Sequence, residues 1–430
     1  MLFPTILLVY GKVNFTNLSR YSDCCEKSYR RHYRQPFNFM SLNAHLIAEA
    51  MPFRTQQIGG MDCSFIPKSG KKTYGLDWFY NGSASRAEKG LEISVIAILD
   101  EATHQSYALS VQQTPANLKC QRTKRKIKSK CKSTSRPRPS FIPSGDIERA
   151  QTMLSQLPPH PPSAPLPKLI APEITRIDHY LHHLKATHPY LPVGLKYWAV
   201  DGFYSKKKFV DGVVELDLQI IGKLRNDADM RHFYTGEQKP RGAKRKYDGK
   251  VDLEDLHRLI HVQQLEPQLN LYTAVVWHVS LKRKIRIVSL VDTRKPGKTG
   301  SVLFFSTDLD LKAELVLKYY KARFQIEFIF RDAKQFTGLC DAQTRDPKKL
   351  DFHFNASLTA LNLARYDVQH CSSQTETPLP PIPFSMSTYK RLAFNDHLLS
   401  RFISMLDLDS TLIKSHPSYD SLRSYGSIAP

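Results

Sequence analysis

One short stretch constrains the fold of this chain more than any other. Residues 320–334 read YKARFQIEFIFRDAK, and their apolar residues recur at the spacing of an amphipathic helix. At about 100° per residue, four polar side chains fall within roughly 60° of one another on that helix. They are Tyr320, Arg323, Glu327 and Lys334. The opposite face carries the core-facing stripe, which consists of Ala322, Ile326, Ile329 and Ala333. One face of the predicted helix therefore presents a lone carboxylate among two cations and a phenol.

This helix face has two explanations. It suits the binding of a metal ion beside a phosphate group. However, Arg323 with Glu327, and Glu327 with Arg331, are also ordinary i,i+4 pairs of the kind found on any solvated helix. The pattern alone does not decide between them.

Two aspartates elsewhere in the chain favour the metal-binding explanation. Asp62 lies in the run IGGMDCSFI, and Asp201 lies in the run YWAVDGFY. Both runs are short, apolar and bounded by turn-forming residues, which predicts strands. A buried carboxylate without a compensating partner in such a strand lowers the stability of the fold by roughly several kcal/mol. Aspartates with a purely structural role are found more often at turns and helix N-caps. Together with Glu327 they form an all-carboxylate set, which is typical of sites for hard cations such as Mg²⁺ or Mn²⁺.

The chain resembles a DDE transposase of the bacterial insertion-sequence-four class, whose YREK signature is the Y-x2-R-x3-E-x6-K pattern at 320–334. Three blocks within about residues 58–360 carry the resemblance: GMDCSFI with GKKTYG at 60–75, AVDGFY with KLRNDA at 199–228, and FSTD at 305–308 leading into the helix. The resemblance implies an α/β fold. It comprises an RNase-H-like mixed sheet flanked by helices, interrupted by a β-rich insertion domain and preceded by a small helical N-terminal region.

The resemblance also implies a role for each candidate residue. Asp62, Asp201 and Glu327 would be catalytic and would bind two Mg²⁺ (or Mn²⁺) ions. The three remaining polar residues of the helix would contact phosphates at the transposon end; these are Tyr320, Arg323 and Lys334. Trp277 would either stack on a base flipped from a DNA hairpin or be a core tryptophan, which is the commoner role.

The implied activity is metal-dependent DNA strand cleavage at transposon ends and strand transfer into target DNA. Its partners would be double-stranded DNA, as inverted-repeat ends and target, and a second copy of the chain in a homodimeric synaptic complex. Two alternatives stay open, a catalytically silent DNA-binding transposase remnant and a metal-dependent nuclease of the same fold. The presence of all three carboxylates favours an active enzyme, and Lys334 favours transposition over the nuclease.

Composition agrees with a nucleic-acid partner. The chain has 62 Lys and Arg against 40 Asp and Glu, a formal net charge of +22. Such an excess attracts polyanions through counterion release, although a basic protein without a specific ligand would show it too. The seven cysteines lack zinc-finger spacing, and the apolar opening residues 1–10 are too short to cross a membrane. We therefore expect a cytoplasmic, nucleoid-associated bacterial protein without a membrane partner.

Composition and periodicity divide the chain into seven segments. They are a helical N-terminal DNA-binding region (1–55), the first segment of the RNase-H-like core (56–115), a basic and proline-rich insert (116–170), the second core segment (171–227), the β-rich insertion domain (228–300), the third core segment with the Glu327 helix (301–370), and a C-terminal linker and tail (371–430).

Local patterns predict the elements within these segments. Residues 16–21 followed by 28–34 resemble a helix-turn-helix with a basic second helix, which would bind DNA or simply pack on the core. The composition of the insert is typical of a disordered chain. Further strands are predicted at 74–81, 91–99, 218–224, 272–279 and 284–291, and further helices at 173–187 and 207–215.

Overall fold

The strand that carries Asp62 pairs along its whole length with the longest described strand of the sheet. In the computed structural model, which describes residues 2–51, 56–116, 175–295, 298–373 and 384–427, β1 (Gln57–Pro67) lies antiparallel to β3 (Arg86–Asp100). Their register runs from Gln57 opposite Asp100 to Pro67 opposite Gly90. Every residue of β3 from Gly90 to Asp100 is buried, as the apolar run in its sequence predicts.

The remaining strands extend this pair into one sheet. They are β2 (Asp77–Asn81), β4 (Ser106–Gln113), β5 (Tyr197–Val200), β6 (Gln219–Leu224), β7 (Met230–Phe233), β8 (Tyr247–Lys250), β9 (Ile260–Glu266), β10 (Leu269–His278), β11 (Arg283–Lys295) and β12 (Lys298–Ser306). The described strands follow the order β2-β3-β1-β5-β6-β12-β11-β10-β7-β8, with β4 also paired to β3 and β9 to β10. β5 is parallel to β1 and to β6, and the other recorded pairs are antiparallel.

Helices cover both faces of the sheet, so the fold is mixed α/β. They are α1 (Leu2–Leu8), α2 (Phe15–Leu18), α3 (Glu26–His32), α4 (Phe39–Ala50), α5 (Arg176–Thr187), α6 (Lys207–Val214), α7 (Ala313–Ala322), α8 (Gln325–Phe336), α9 (Pro347–Ser373), α10 (Met386–Met405), α11 (Ser410–Lys414) and α12 (Ser418–Arg423). One apolar core contains residues of α7, α8 and α9, and the other contains residues of α5 and α6.

Alternation along β1 decides which core each of its side chains enters. Ile58 and Ile66 belong to the core beneath α7–α9, whereas Met61 belongs to the core beneath α5 and α6. Since successive strand residues face opposite sides, Asp62 lies on the α7–α9 face of the sheet. The sheet thus directs this carboxylate towards the helix that carries Glu327.

Most predicted elements are confirmed. The strands around Asp62 and Asp201 are present, and the predicted pair in the insertion forms the antiparallel strands β10 and β11. The strands of segment 228–300 do not form a sheet of their own, because β12 pairs with β6 and joins them to the central sheet. The division into domains stays a prediction, and the basic insert at 116–170 lies outside the described residues except for Ala116.

The C-terminal segment 371–430, predicted as a linker and tail, contains a long helix in its described part. Its described part contains α10, a 20-residue helix that packs against α1, α8 and α9. Lys390 of this helix is 7% exposed and donates hydrogen bonds to the carbonyls of Ile6 (3.2 Å), Val9 (2.7 Å) and Phe336 (2.7 Å). One buried ammonium therefore ties α10 to the ends of two other helices.

The proposed helix-turn-helix corresponds to α2 and α3, which contact each other. Tyr29 and Tyr33 are buried in the core, while Arg30, Arg31 and Arg34 are exposed. The second helix therefore packs on the core and still presents a basic face to solvent. Among the described helices, none combines the length and the apolar character that crossing a membrane requires.

Candidate active site

Two adjacent glycines let the elements of the site approach β1 closely. A Cβ atom at Gly59 would lie 2.2 Å from the ring of Trp198, and one at Gly60 would lie 2.9 Å from Cδ1 of Ile326. Because real Cβ atoms do not come so close, a larger residue at Gly59 would push Trp198 and β5 away from β1, whereas one at Gly60 would displace the end of the Ile326 side chain. Gly59 is therefore a local requirement for bringing the Asp201 strand against the Asp62 strand.

The parallel pairing of β1 and β5 sets Asp62 beside Asp201. Gly60 pairs with Ala199, and the same register continued by two residues brings Asp62 opposite Asp201. Asp201 follows the last residue of β5, and its Oδ1 accepts a hydrogen bond from the backbone N–H of Phe203 at 2.9 Å. The turn that ends β5 thereby fixes the orientation of this carboxylate.

The helix that was predicted to carry the site is broken, so the single-helix prediction is wrong. α7 ends at Ala322 and α8 begins at Gln325, with Arg323 and Phe324 between them. Across the break the amides bond to the carbonyl three residues earlier, as in Arg323 to Tyr320 (3.2 Å) and Glu327 to Phe324 (3.0 Å). A tighter turn of this kind changes the angle between successive side chains, so the arrangement calculated for a regular helix does not hold.

The apolar stripe survives the break. Ala322 is 6% exposed, and Ile326, Ile329 and Ala333 are fully buried. This aspect of the helix prediction is confirmed, and it explains why α8 lies on the sheet with Glu327 near its first turn.

Arg323 bridges two of the carboxylates. Its Nη1 lies 2.7 Å from Oδ2 of Asp62, and its Nη2 lies 3.4 Å from Oε1 of Glu327. The side chains of Arg323 and Asp62 are only 11% and 19% exposed, whereas that of Glu327 is 46% exposed. The Nε of Arg323 is buried and has no hydrogen-bond partner among the described residues.

The pKa of Asp62 responds to the charges of Arg323, Asp201 and Glu327. Burial raises its pKa from 3.8 to about 6, although the charge of Arg323 opposes the rise. The charges of Asp201 and Glu327 both raise this pKa further. Like charges act in this way only at short range, so the three carboxylates share one electrostatic environment.

Tyr320 belongs to this group. The guanidinium carbon of Arg323 lies 5.6 Å from the centre of its ring, and the ring packs on Phe304 with centroids 4.6 Å apart. Burial raises the pKa of Tyr320, with smaller contributions from Asp201 and Asp62. The phenol therefore stays protonated and can donate a hydrogen bond.

Lys334 lies apart from the other signature residues. It is seven residues beyond Glu327, or about 10 Å further along a helix axis. Burial lowers its pKa, and the titratable neighbour that influences it is the Cys340 thiol rather than a carboxylate of the trio. Lys334 shares a face of α8 with Glu327 but lies about two turns further along it, and its contact with DNA stays a prediction.

Trp277 also lies away from the carboxylates. It is on β10, five strands from β1 in the sheet order, which corresponds to roughly 24 Å at the usual strand spacing. Its ring is half-buried and lies 5.9 Å from that of Tyr247. The structure therefore gives Trp277 neither a fully buried core position nor a place beside the trio.

The sequence interpretation missed two aromatic residues beside Glu327. Phe324 is 51% exposed and Phe328 is 40% exposed, and their rings meet edge to face at 5.4 Å. Helix periodicity could have predicted that both side chains are exposed, since they flank Glu327 on the side away from the buried stripe. Two exposed apolar rings here provide a surface on which a base or sugar can pack.

The donor set suits a hard divalent cation, although its present geometry does not. Three carboxylates offer only oxygen donors, which is the chemistry that Mg²⁺ and Mn²⁺ prefer. Within the described ranges, however, no three His, Cys, Asp or Glu side chains are arranged to hold a metal ion. The guanidinium of Arg323 supplies the positive charge between Asp62 and Glu327 instead. A cation at Asp62 would therefore have to displace Arg323.

A comparison with known families agrees with this geometry. Residues 172–363 match the family model of the transposase DDE domain. The matched region contains Asp201 and Glu327 and ends within α9, while Asp62 precedes it. The match shows that this part of the chain is similar to a transposase DDE domain. No curated protein matches the chain.

Proposed function

We propose that the chain is a DDE transposase of the insertion-sequence-four class with an RNase-H-like core, which cleaves DNA at transposon ends and transfers the strands into target DNA. The observation that carries this proposal is the geometry of three carboxylates from distant regions of the chain: Arg323 contacts both Asp62 (2.7 Å) and Glu327 (3.4 Å), and the register of β1 with β5 sets Asp201 beside Asp62. The transposase family match over residues 172–363 supports it independently.

The sheet order supports the RNase-H-like core in this proposal. The strand of Asp62 lies between the antiparallel strand β3 and the parallel strand of Asp201, and the helix of Glu327 packs alongside. The resemblance seen in the sequence implies the same arrangement. In the family that the sequence resembles, an insertion lies between β6 and the Glu327 helix. Strands β7–β11 occupy that region of this chain.

Asp62, Asp201 and Glu327 would hold two divalent ions. When bound, such ions activate the attacking hydroxyl group and neutralise charge on the scissile phosphate. The residues of the chain provide the ligands, and Asp62 must lose its proton to serve as one. Because its pKa is about 6, most Asp62 carboxyls are ionised at neutral pH.

When a metal ion binds Asp62, Arg323 would leave this carboxylate and bind a DNA phosphate instead. Once released from Asp62, its guanidinium can donate two parallel hydrogen bonds to phosphate oxygens, and its partnerless Nε is available as a donor. Tyr320 lies against the guanidinium and limits its movement, and its protonated hydroxyl can donate to the same phosphate. Lys334 would contact DNA outside the carboxylate cluster. No side chain forms a covalent bond with DNA in this scheme.

One alternative function has a specific observation in its favour. The ion pair between Arg323 and Asp62 neutralises a carboxylate that metal binding needs. A catalytically silent DNA-binding remnant would keep this pair closed permanently. A metal-dependent nuclease of the same fold is the other alternative, and it would cleave DNA without joining strands.

The test is cleavage of DNA taken from both sides of the chain's own coding sequence, because transposon ends flank the gene that they mobilise. We expect Mg²⁺-dependent cuts at defined positions, strand joining to a target plasmid, and loss of both reactions in Asp62→Asn, Asp201→Asn and Glu327→Gln. Asp351→Asn is the matched control, since burial raises the pKa of Asp351 to about 6 without a neighbouring charge. DNA binding without cleavage would support the remnant, and cleavage without joining would support the nuclease.

We further propose that the active complex is a homodimer and that the protein works at the nucleoid in the bacterial cytoplasm. Light scattering of the protein with and without the cleaved DNA tests the first point. A monomer in the active complex would contradict it.

A further inference from the structure

A two-stranded hairpin extends beyond the region of the sheet that its neighbours cover. We call residues 77–90 the hairpin arm; it consists of β2, a turn and the first residues of β3. Within it, β2 pairs with Arg86–Gly90, whereas β1 pairs with β3 only from Gly90 onwards and β4 only from Ile93 onwards. Among the described strands, the start of β3 therefore has β2 as its single neighbour.

The hairpin arm holds two large aromatic side chains in solvent. Trp78 is 63% exposed and Tyr80 is 59% exposed. Neither ring packs against another ring or a cation in the described regions of the chain. Phe79 between them is 1% exposed and packs under the guanidinium of Arg176 at 4.7 Å. Arg176 also donates to the carbonyl of Trp78 at 3.1 Å, so the backbone is anchored while the two rings remain available.

The two rings lie on the same face of the sheet as the candidate active site. Trp78 pairs with Lys89 and Tyr80 pairs with Ala87, while Asp62 pairs with Val95 in an unbroken register. Residues 87, 89 and 95 of β3 face the same side, because strand side chains alternate. Six residues separate Lys89 from Val95, which is about 20 Å along the strand. Leu91 and Ile93, which lie between them on this face, are fully buried, so the hairpin arm is an exposed extension of the sheet beyond the covered core.

The surroundings of the hairpin arm are basic. Residues 68–90 contain five Lys or Arg and two Asp or Glu. One of the acids, Glu88, is neutralised by Arg86 at 2.7 Å. The exposed Lys71, Lys72 and Lys89 form no ion pair with any described residue. This combination of cations and exposed rings complements a polyanion that also carries flat apolar groups.

We propose that the hairpin arm binds an unpaired DNA strand, with bases stacked on Trp78 and Tyr80 and phosphates on the neighbouring lysines. The inference rests on the proposed function, because strand cleavage creates a free strand end at the site, and such an end can separate from its complement. Rings on a strand can stack only on bases whose faces are open, and duplex bases cover one another's faces. Trp78 and Tyr80 are two residues apart, or about 7 Å, so each ring can receive a separate base.

Tryptophan fluorescence tests this proposal directly, because stacking on a base quenches an indole. The chain has three tryptophans, of which Trp198 is fully buried and Trp277 is half-buried. The full-length protein carrying Asp62→Asn is titrated with oligothymidylate, so that no cleavage occurs. We expect quenching in this protein and in its Trp277→Phe derivative, and loss of quenching in its Trp78→Phe derivative. Quenching that survives Trp78→Phe, or that duplex DNA produces equally, would overturn the proposal.

Affinity provides a second readout. Trp78→Ala and Tyr80→Ala should each weaken oligothymidylate binding about 5- to 150-fold, the usual effect of losing one stacked base. Unchanged affinity in both variants would contradict the inference. Because both side chains are exposed, these variants should keep the melting temperature of the parent.

The arm could instead contact a second copy of the chain, and light scattering distinguishes this case. A shift of Trp78→Ala from dimer to monomer in the absence of DNA would overturn the proposal. The quenching test and the cleavage test can also fail independently of each other. Cleavage without Trp78 quenching refutes the hairpin-arm inference alone, whereas quenching without cleavage refutes the transposase activity alone.

Discussion

Replacing Asp62 with asparagine should make the protein more stable while abolishing its activity. Burial raises the pKa of Asp62 from 3.8 to about 6, even with Arg323 beside it. The folded protein therefore binds the Asp62 proton more tightly than the unfolded chain does. Since each tenfold difference in proton affinity is worth about 1.4 kcal/mol, the ionised carboxylate costs about 3 kcal/mol of folding free energy at pH 7.5. Asparagine has nearly the same shape and carries no charge.

The sign of this effect fixes its pH dependence. A carboxyl whose folded pKa is raised lowers stability as pH rises from 3.8 to about 6, and the loss is complete above that range. The gain from Asp62→Asn should therefore be about 3 kcal/mol at pH 7.5 and roughly half of that at pH 5. The hydrogen bond that Oδ1 accepts from the amide of Cys63 at 2.8 Å can be retained by the asparagine oxygen.

Urea unfolding at the two pH values, without divalent ions, measures this prediction. Asp351→Asn serves as the comparison, because burial also raises the pKa of Asp351 to about 6. It should show a similar pH-dependent gain in stability but retain DNA cleavage. The reasoning fails if Asp62→Asn is less stable than the parent at pH 7.5, or if its gain is the same at both pH values.

Three further predictions follow from single contacts. At limiting Mg²⁺, cleavage should fall up to about tenfold per pH unit below pH 6, because a proton on Asp62 competes with the metal ion, and a rate that stays constant down to pH 5 would contradict this. Lys390→Ala should lower the free energy of unfolding by about 1–3 kcal/mol, because it leaves three carbonyls without their donor; unchanged urea unfolding would refute it. Gly59→Ala should cost about 1–3 kcal/mol through its clash with Trp198, whereas Gly82→Ala, with open space around it, should cost far less; equal melting temperatures would contradict the packing account.

The elements that carry Asp62, Asp201 and Glu327 were predictable because their sequence signals are local. Asp62 and Asp201 interrupt apolar runs that could only be buried strands, and the stripe of Ile326, Ile329 and Ala333 identifies the face of α8 that packs on the sheet. Both signals depend on the side-chain period of a single element. Which elements then meet depends on sheet order, and for that the family resemblance was needed.

The break at Arg323 and Phe324 could not be predicted in this way. Neither residue is glycine or proline, and both keep right-handed helical backbone angles. What changes is the hydrogen-bond partner of each amide, which is selected by packing on β1 and by the ion pair with Asp62. Periodicity carries no information about such a tertiary choice.

The helix α10 was missed for a related reason. Its anchor is Lys390, and a lysine indicates a solvated position until its carbonyl partners on other elements are known. Exposed Leu398 and Phe402 further obscure the pattern, because they place apolar residues on the outer face. A helix anchored by a buried lysine leaves little trace in hydrophobic periodicity.

Anomalous X-ray diffraction from crystals soaked in Mn²⁺ tests the central claim most directly. The account predicts two manganese peaks about 3.5–4 Å apart, within bonding distance of Asp62, Asp201 and Glu327, with the guanidinium of Arg323 moved off Asp62. The absence of peaks at these carboxylates, with Arg323 still 2.7 Å from Asp62, would contradict it.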